Sequence, residues 1–294
     1  MCTFSFSQEL FMLDIAFDTI VMRPYVFTFF VAFLLICVPH VGWRKTLTFA
    51  VAAYLIAFIS EKLSITTGFP YGWYYYIDTT SHRELWVWGV PFFDSLSYVF
   101  LTYCSYTTAL FILSPLTTRG FDLITLETRA IRHSWAALVL GAFLQTFLDI
   151  IIDPVALQGD RWFLGQIYGY HESGLHFGVP ISNYAGWLLT SFVLVAAFQQ
   201  IDRRGEEKAP YGIFAIPFRS LLGPILYLSV LIFNWAVSLW IGENLIALTG
   251  IFIFTLPILM VTILVVSRVN RYREEELREH LKDYPWSLLN RFKE

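Results

Sequence analysis

Charge is scarce in this chain. Asp, Glu, Lys and Arg make up 15% of its 294 residues while 56% are hydrophobic, which leaves too little polar surface to clothe a water-soluble globule of that length. The net charge of −3 gives no bulk attraction to nucleic acid, and no basic stripe interleaves with aromatics as a nucleic-acid groove requires. Lys45, Lys62, Lys208, Lys282 and Lys293 all fall in connections, at span ends or in the tail, so no intramembrane lysine is present to carry a retinal Schiff base. The six histidines are dispersed. His40 and His133 fall toward one side, His82, His171 and His176 toward the other and His280 in the tail, which excludes the dense histidine boxes of di-iron oxygenases. Within His171–His176 the second His comes one residue too late to share a helix face with the first, so the zinc-protease motif is not met. No phosphate-cradling glycine loop is present, and Cys2, Cys37 and Cys104 have no ligand spacing. No metal, nucleotide or other cofactor is expected.

What is abundant is apolar and aromatic: 28 Phe, 16 Tyr and 10 Trp, 18% of the chain. About 20 apolar residues, each rising about 1.5 Å, cross the hydrocarbon layer of a bilayer. Seven segments qualify, over about 21–39, 45–61, 91–113, 134–153, 181–201, 219–241 and 244–267, predicting an all-α integral membrane protein, a bundle of about seven transmembrane helices. Residues 1–267 form a single transmembrane domain in this reading. Residues 268–294 form a charged tail whose Leu277, Leu281, Trp286, Leu289 and Phe292 suit an interfacial cytoplasmic helix. Basic residues collect on the cytoplasmic side of membranes. Seven spans put 16 of the 20 on one side and leave Arg23, Lys62, Arg83 and Arg161 on the other, predicting an outside N-terminus and a cytoplasmic C-terminus. A multi-pass place in the cell (inner) membrane is expected. The first basic residue is Arg23, so no charged n-region precedes the early apolar stretch and no cleavable signal peptide is expected.

Ionisable groups at membrane depth are costly and usually mark function. Glu61 ends the second predicted span, Asp94 opens the third, and Asp149 and Asp153 close the fourth, all toward the non-cytoplasmic side. Asp149 and Asp153 are four apart and share a helix face, as do Asp94 with Tyr98 and Asn183 with Trp187. Two long connections, 62–90 and 154–180, are rich in Gly, Pro, Tyr and Trp and are expected to roof this polar cluster. The ordinary alternative is that the carboxylates cap helices or pair with Lys62, Arg83 or Arg161. A carboxyl shielded from water holds its proton more firmly than a free one and can then act as a general acid near neutral pH.

Several stretches read together: Glu61 followed by Thr67 to Tyr76; Gly89-Val90-Pro91 running into Leu96-Ser97-Tyr98; Leu148-Asp149 with Asp153-Pro154-Val155-Ala156 and then Trp162; and Phe177-Gly178-Val179-Pro180 with Asn183-Tyr184-Ala185-Gly186-Trp187. Over about 55–200 the chain resembles the carotenoid biosynthesis protein family that includes the CruF-type carotenoid hydratases. Tyr184 stands where the family pattern has Phe, and Asp94 where it has an apolar residue, so Asp94 is singled out on physical grounds alone. The resemblance implies a cofactor-independent membrane enzyme that adds water to a terminal double bond of an acyclic carotenoid end group, giving a tertiary alcohol. It implies Glu61, Asp149 and Asp153 as the catalytic carboxylates, to which Asp94 is added on its physical placement alone, and Asn183, Trp187, Tyr98, Tyr74, Tyr76 and Trp162 around the substrate. Its partners would be a carotenoid drawn from the bilayer, membrane lipids and other carotenoid-pathway enzymes. A carotenoid cyclase, which also begins by protonating a terminal alkene, is the second reading; a non-catalytic carotenoid-binding protein or transporter is the third.

Overall fold

The computed structural model describes residues 14–204 and 216–290. Cys2, Lys208, Phe292 and Lys293 lie outside the described residues. Seven helices are long and apolar enough to cross a membrane: α1 (Pro24–Val41), α2 (Trp43–Thr67), α3 (Phe92–Leu113), α4 (Trp135–Ala156), α5 (Ile181–Arg203), α6 (Arg219–Trp240) and α7 (Asn244–Arg268). The chain is a multi-pass membrane protein, and a shorter helix, α8 (Glu274–Asp283), follows the last span.

Two helix ends differ from the hydropathy reading, and both differences matter for the carboxylates. α2 does not stop at Glu61. The Thr66 and Thr67 hydroxyls donate back to the carbonyls of Lys62 and Leu63, carrying the helix two more turns. It ends where Gly68, at φ 79°, turns left-handed and donates its N–H to the Ser64 carbonyl. A Cβ at Gly68 would also stand 2.7 Å from the Trp73 indole nitrogen, so a side chain is excluded twice over. α4 likewise continues past Asp153, through Pro154, to Ala156.

α3 is the hub: 78% of its apolar window is buried inside the protein, against 11% for α7, which faces lipid. Small and hydroxyl-bearing residues on α3, Ser95, Thr102, Ser105 and Thr108, are all buried and let neighbours come close. On α4, a Cβ at Gly141 would lie 3.3 Å from the Tyr106 Cα, so glycine there permits the α3–α4 contact.

The all-α expectation fails in the connections, which hold three short antiparallel strand pairs. β1 (Tyr74–Tyr76) pairs with β6 (Tyr168–Tyr170), β2 (Trp86–Val87) with β3 (Val90–Pro91), and β4 (Leu116–Arg119) with β5 (Asp122–Thr125). Aromatic and β-branched residues that suit a pleated, half-buried surface override the helical context. A buried ion pair clasps the two long connections. Arg23, just before α1, donates from Nε to Glu84 at 2.9 Å and from a terminal nitrogen to the Leu164 carbonyl, and its guanidinium lies 4.4 Å from the Phe93 ring centroid. Arg23, counted in the sequence only toward the non-cytoplasmic side, is fully buried.

At the opposite end, Arg132 donates to Glu127 at 2.8 Å, to Asp202 of α5 at 2.9 Å and to the His40 ring at 2.7 Å. Burial works against the Glu127 carboxylate, but Arg132 beside it holds it below the usual carboxylate range. The tail docks on this knot. His280 of α8 is buried, its Nδ1 2.7 Å from the Glu127 carbonyl and its Nε2 2.9 Å from the Ser287 hydroxyl, so Nδ1 carries a proton toward the carbonyl.

Burial pushes the His280 imidazole down to about 4, from an ordinary value of about 6.5. A released tail therefore takes up a proton first, so docking is complete above about pH 6.5 and weakens as pH falls toward about 4. A spin label at exposed Glu279→Cys, in a Cys2→Ser background, should gain mobility between pH 6.5 and 5, and His280→Gln should flatten that response. Equal pH response in both proteins would refute the assignment.

Candidate active site

β1 and β6 come from different connections, yet their register sets Tyr74 opposite Tyr170, Tyr75 opposite Gly169 and Tyr76 opposite Tyr168. Alternation along each strand then directs four phenols, Tyr74, Tyr76, Tyr168 and Tyr170, to one face. Tyr75 points the other way and lies across Gly169, where a Cβ would sit 2.9 Å from its hydroxyl. The four rings contact one another at centroid distances of 5.3–6.4 Å. They form the roof that the aromatic connections were expected to supply.

The phenols meet buried carboxylates. Tyr168 donates to Asp153 Oδ1 at 2.6 Å and Tyr170 to its Oδ2 at 2.5 Å, while Tyr76 donates to Asp94 Oδ2 at 2.5 Å. Burial and the Asp153 carboxylate push the Tyr168 and Tyr170 hydroxyls well above the usual phenol range; burial and Asp94 do the same for Tyr76. All three remain protonated donors. On α5, Asn183 donates its amide to Asp149 Oδ2 at 2.9 Å and to Asp153 Oδ2 at 2.7 Å. Glu61 accepts the Ser95 hydroxyl at 2.9 Å. Among the described residues none of the four carboxylates has a basic partner. Lys62 donates instead to the Trp88 carbonyl, and Arg161 pairs with Glu243.

A cavity of about 940 Å³, counting its open mouth, joins these groups. Glu61, Asp94 and Asp153 line it, as do all six residues expected around a substrate: Asn183, Trp187, Tyr98, Tyr74, Tyr76 and Trp162. Tyr98 stacks flat on Trp187, with centroids 4.4 Å apart and planes within 2°. Asp149 is different. It is not among the lining residues but sits one turn behind Asp153, and its Oδ1 has no hydrogen-bond partner among the described residues. Gly186 explains the neighbouring Gly-Trp pair: a Cβ there would lie 2.6 Å from the Pro70 carbonyl oxygen, so only glycine lets α5 press against the 69–71 turn. The cavity continues from the carboxylates into an apolar arm walled by Phe29, Phe100, Leu101, Val230 and Phe233.

Sequence reasoning missed Tyr168 and Tyr170, which contribute two of the three donors to Asp153, and Tyr71, whose hydroxyl bridges Ser60 and Thr190 at 2.9 and 3.0 Å. A Tyr-x-Tyr alternation in each connection was the available signal. The strand pairing that gives it meaning spans almost a hundred residues. His176, part of the rejected zinc motif, lies 3.1 Å from the Ile150 carbonyl. Among the described residues, no group of three or more His, Cys, Asp or Glu is arranged to hold a metal ion.

A family model described as carotenoid biosynthesis protein matches residues 15–257, most of the chain and all of the cavity, so the chain belongs to that family. No curated protein and no solved structure matches it.

Replacing both phenols over Asp153, Tyr168→Phe with Tyr170→Phe, leaves that carboxylate only the Asn183 amide as a donor among the described residues. The pair of changes is expected to lower stability by about 1.5–3 kcal/mol per bond, read as an earlier thermal transition in detergent. In an Asp153→Asn background the same changes should cost clearly less. An equal cost in both backgrounds would mean that the hydrogen bonds carry no stability.

Proposed function

We propose that this carotenoid biosynthesis protein is a hydratase that adds water across the terminal C=C of an acyclic (psi) carotenoid end group. The observation that supports this best is one cavity holding several buried carboxylates at one end and an apolar aromatic arm at the other. Hydration of an isoprenoid alkene needs that pair of environments. A carboxylic acid gives its proton to the less substituted alkene carbon, forming the C–H bond while the π pair leaves a tertiary cation. A water oxygen then bonds to that carbon and passes its extra proton to a second carboxylate. One water is gained, and the two carboxyls have exchanged protonation states.

The hydrogen bonds suggest how the roles divide. Glu61, which accepts the Ser95 hydroxyl and lines the cavity from α2, suits the acid. Asp153, which accepts from Tyr168, Tyr170 and Asn183, suits the base that orients water and takes its proton. Asp94, tied to Tyr76, suits a proton reserve beside them. Tyr98 and Trp187 line the same cavity, where aromatic faces would stabilise a cation by about 0.5–2 kcal/mol per contact.

Asp149 fits the water side. α4 and α5 run antiparallel with Gly141 against Val195 and Asp153 against Asn183, a register that sets Gln145 level with Ser191 and one turn from Asp149. Both polar atoms of the Gln145 side chain, the Ser191 hydroxyl and Asp149 Oδ1 are buried without hydrogen-bond partners among the described residues. Buried polar atoms seek partners, and water is the partner small enough for such a layer.

Expression in a host that accumulates lycopene should yield a product one water heavier, with its oxygen derived from labelled water. A product of unchanged mass would favour cyclisation, label from molecular oxygen would make the protein an oxygenase, and unchanged lycopene would favour a binding or transport role. Glu61→Gln and Asp153→Asn should each keep the protein in the membrane and lower product formation by about 10²–10⁴-fold. Full activity in both variants would remove these carboxyls from catalysis.

A further inference from the structure

The apolar arm of the cavity is short. Along α3, the lining runs from Phe93 to Leu101, eight steps or about 12 Å of helix. An extended acyclic carotenoid is several times longer and rigid, so with one end at the carboxylates most of its length must leave the protein. The walls differ in their ability to let it through. Phe100, Leu101, Tyr98 and Trp187 are buried. The Ser95–Glu61 bond ties α2 to α3, Asn183 ties α4 to α5, and the Gly141 contact holds α4 against α3. The strand pair with its four phenols closes the top.

The wall between α1 and α6 is built from aromatic side chains instead. Tyr25 stacks on Phe233 with centroids 5.1 Å apart and planes 15° apart, and Phe29 meets the same ring edge-on at 5.8 Å. Trp162 packs against Tyr25 at 5.8 Å. These four rings line the cavity, and each is only half-buried. The row of rings continues: Trp162 touches Phe163, and Phe163 lies 6.2 Å from Trp240, both of them exposed. A wall of rings opens by side-chain rotation, without parting two helix backbones.

We propose that this aromatic seam between α1 and α6, centred on Phe29 and Phe233, is a lateral portal through which a long apolar isoprenoid chain lies half in the protein and half in the bilayer. Its ligand class rests on the carotenoid reading given above. The arm inside the seam holds the units next to the reacting end, and the seam grips the chain where it leaves. Contacts along the seam are apolar and ring-faced, so they recognise an unsaturated hydrocarbon stem of any length, whereas the carboxylate end inspects only the terminal group.

The test locks the seam reversibly. Phe29→Cys with Phe233→Cys, in a Cys2→Ser background, places two thiols across it, while Cys37 and Cys104 are buried and out of reach of the reagent. A short bis-methanethiosulfonate cross-linker closes the seam and dithiothreitol reopens it, so a folding defect cannot imitate the result. The purified protein is incubated with lycopene-loaded liposomes, and retained lycopene and hydrated product are measured separately. The expected result is at least tenfold less lycopene retained, and at least tenfold less product, in the cross-linked form than in the same protein after reduction. Retention and conversion unaffected by the cross-link would overturn the portal. If the reduced protein retains lycopene but forms no hydrated product, the hydratase reading fails while the seam is still decided by retention. If the reduced and unmodified proteins both retain none, the carotenoid ligand class fails and the portal with it.

Discussion

Carboxyl groups cut off from water must find hydrogen-bond donors, and in this protein the donors over two of them come from outside the helices that carry them. Tyr168, Tyr170 and Tyr76 reach down from a three-residue strand pair to Asp153 and Asp94. Because a phenol is neutral, it satisfies a carboxylate without neutralising it as Arg or Lys would. Among the described residues, the carboxylates at the acidic end of the cavity are therefore free of ion pairs. Buried Arg23 is engaged by Glu84 and holds the connections in place.

The two ends of the bundle use opposite electrostatic solutions. At the loop end, carboxylates meet hydroxyls and an amide. At the other end Arg132 gathers Glu127, Asp202 and His40 into a compensated knot that fastens α1 and α5, and the tail docks beside it. Buried charges that are fully paired lose their reactivity and serve as fasteners.

Much of the architecture was legible because hydropathy and helix length are read from the residues alone, and a carboxylate inside an apolar run announces itself. Glu61, Asp94, Asp149 and Asp153 stood out for that reason, and the four-residue spacings put Asn183 and Trp187, or Asp94 and Tyr98, on shared faces that the structure turns into the cavity. Other features depended on partners far away in the chain. Asp149 and Asp153 look equivalent in sequence, yet one turn of helix separates a residue that lines the cavity from one that lies behind it. Arg23 entered the sequence reading only as one more basic residue on the non-cytoplasmic side, because Glu84, 61 residues on, could not be paired with it by spacing. The strands in the connections were hidden by their brevity, since three residues give no usable period.

The strand pair also changes how the two long connections must be regarded. Surface loops ordinarily accept insertions and deletions because little depends on their length. Here a single added or lost residue on either side would slide the pairing by one step and turn Tyr74 and Tyr76, or Tyr168 and Tyr170, onto the opposite face. Gly169 adds a further restriction, since it must stay beneath the Tyr75 ring. The count of residues leading into Tyr74–Tyr76 and Tyr168–Tyr170 is thus as tightly bound as that of a helix in the core, and divergence in these connections should come by substitution and not by change of length.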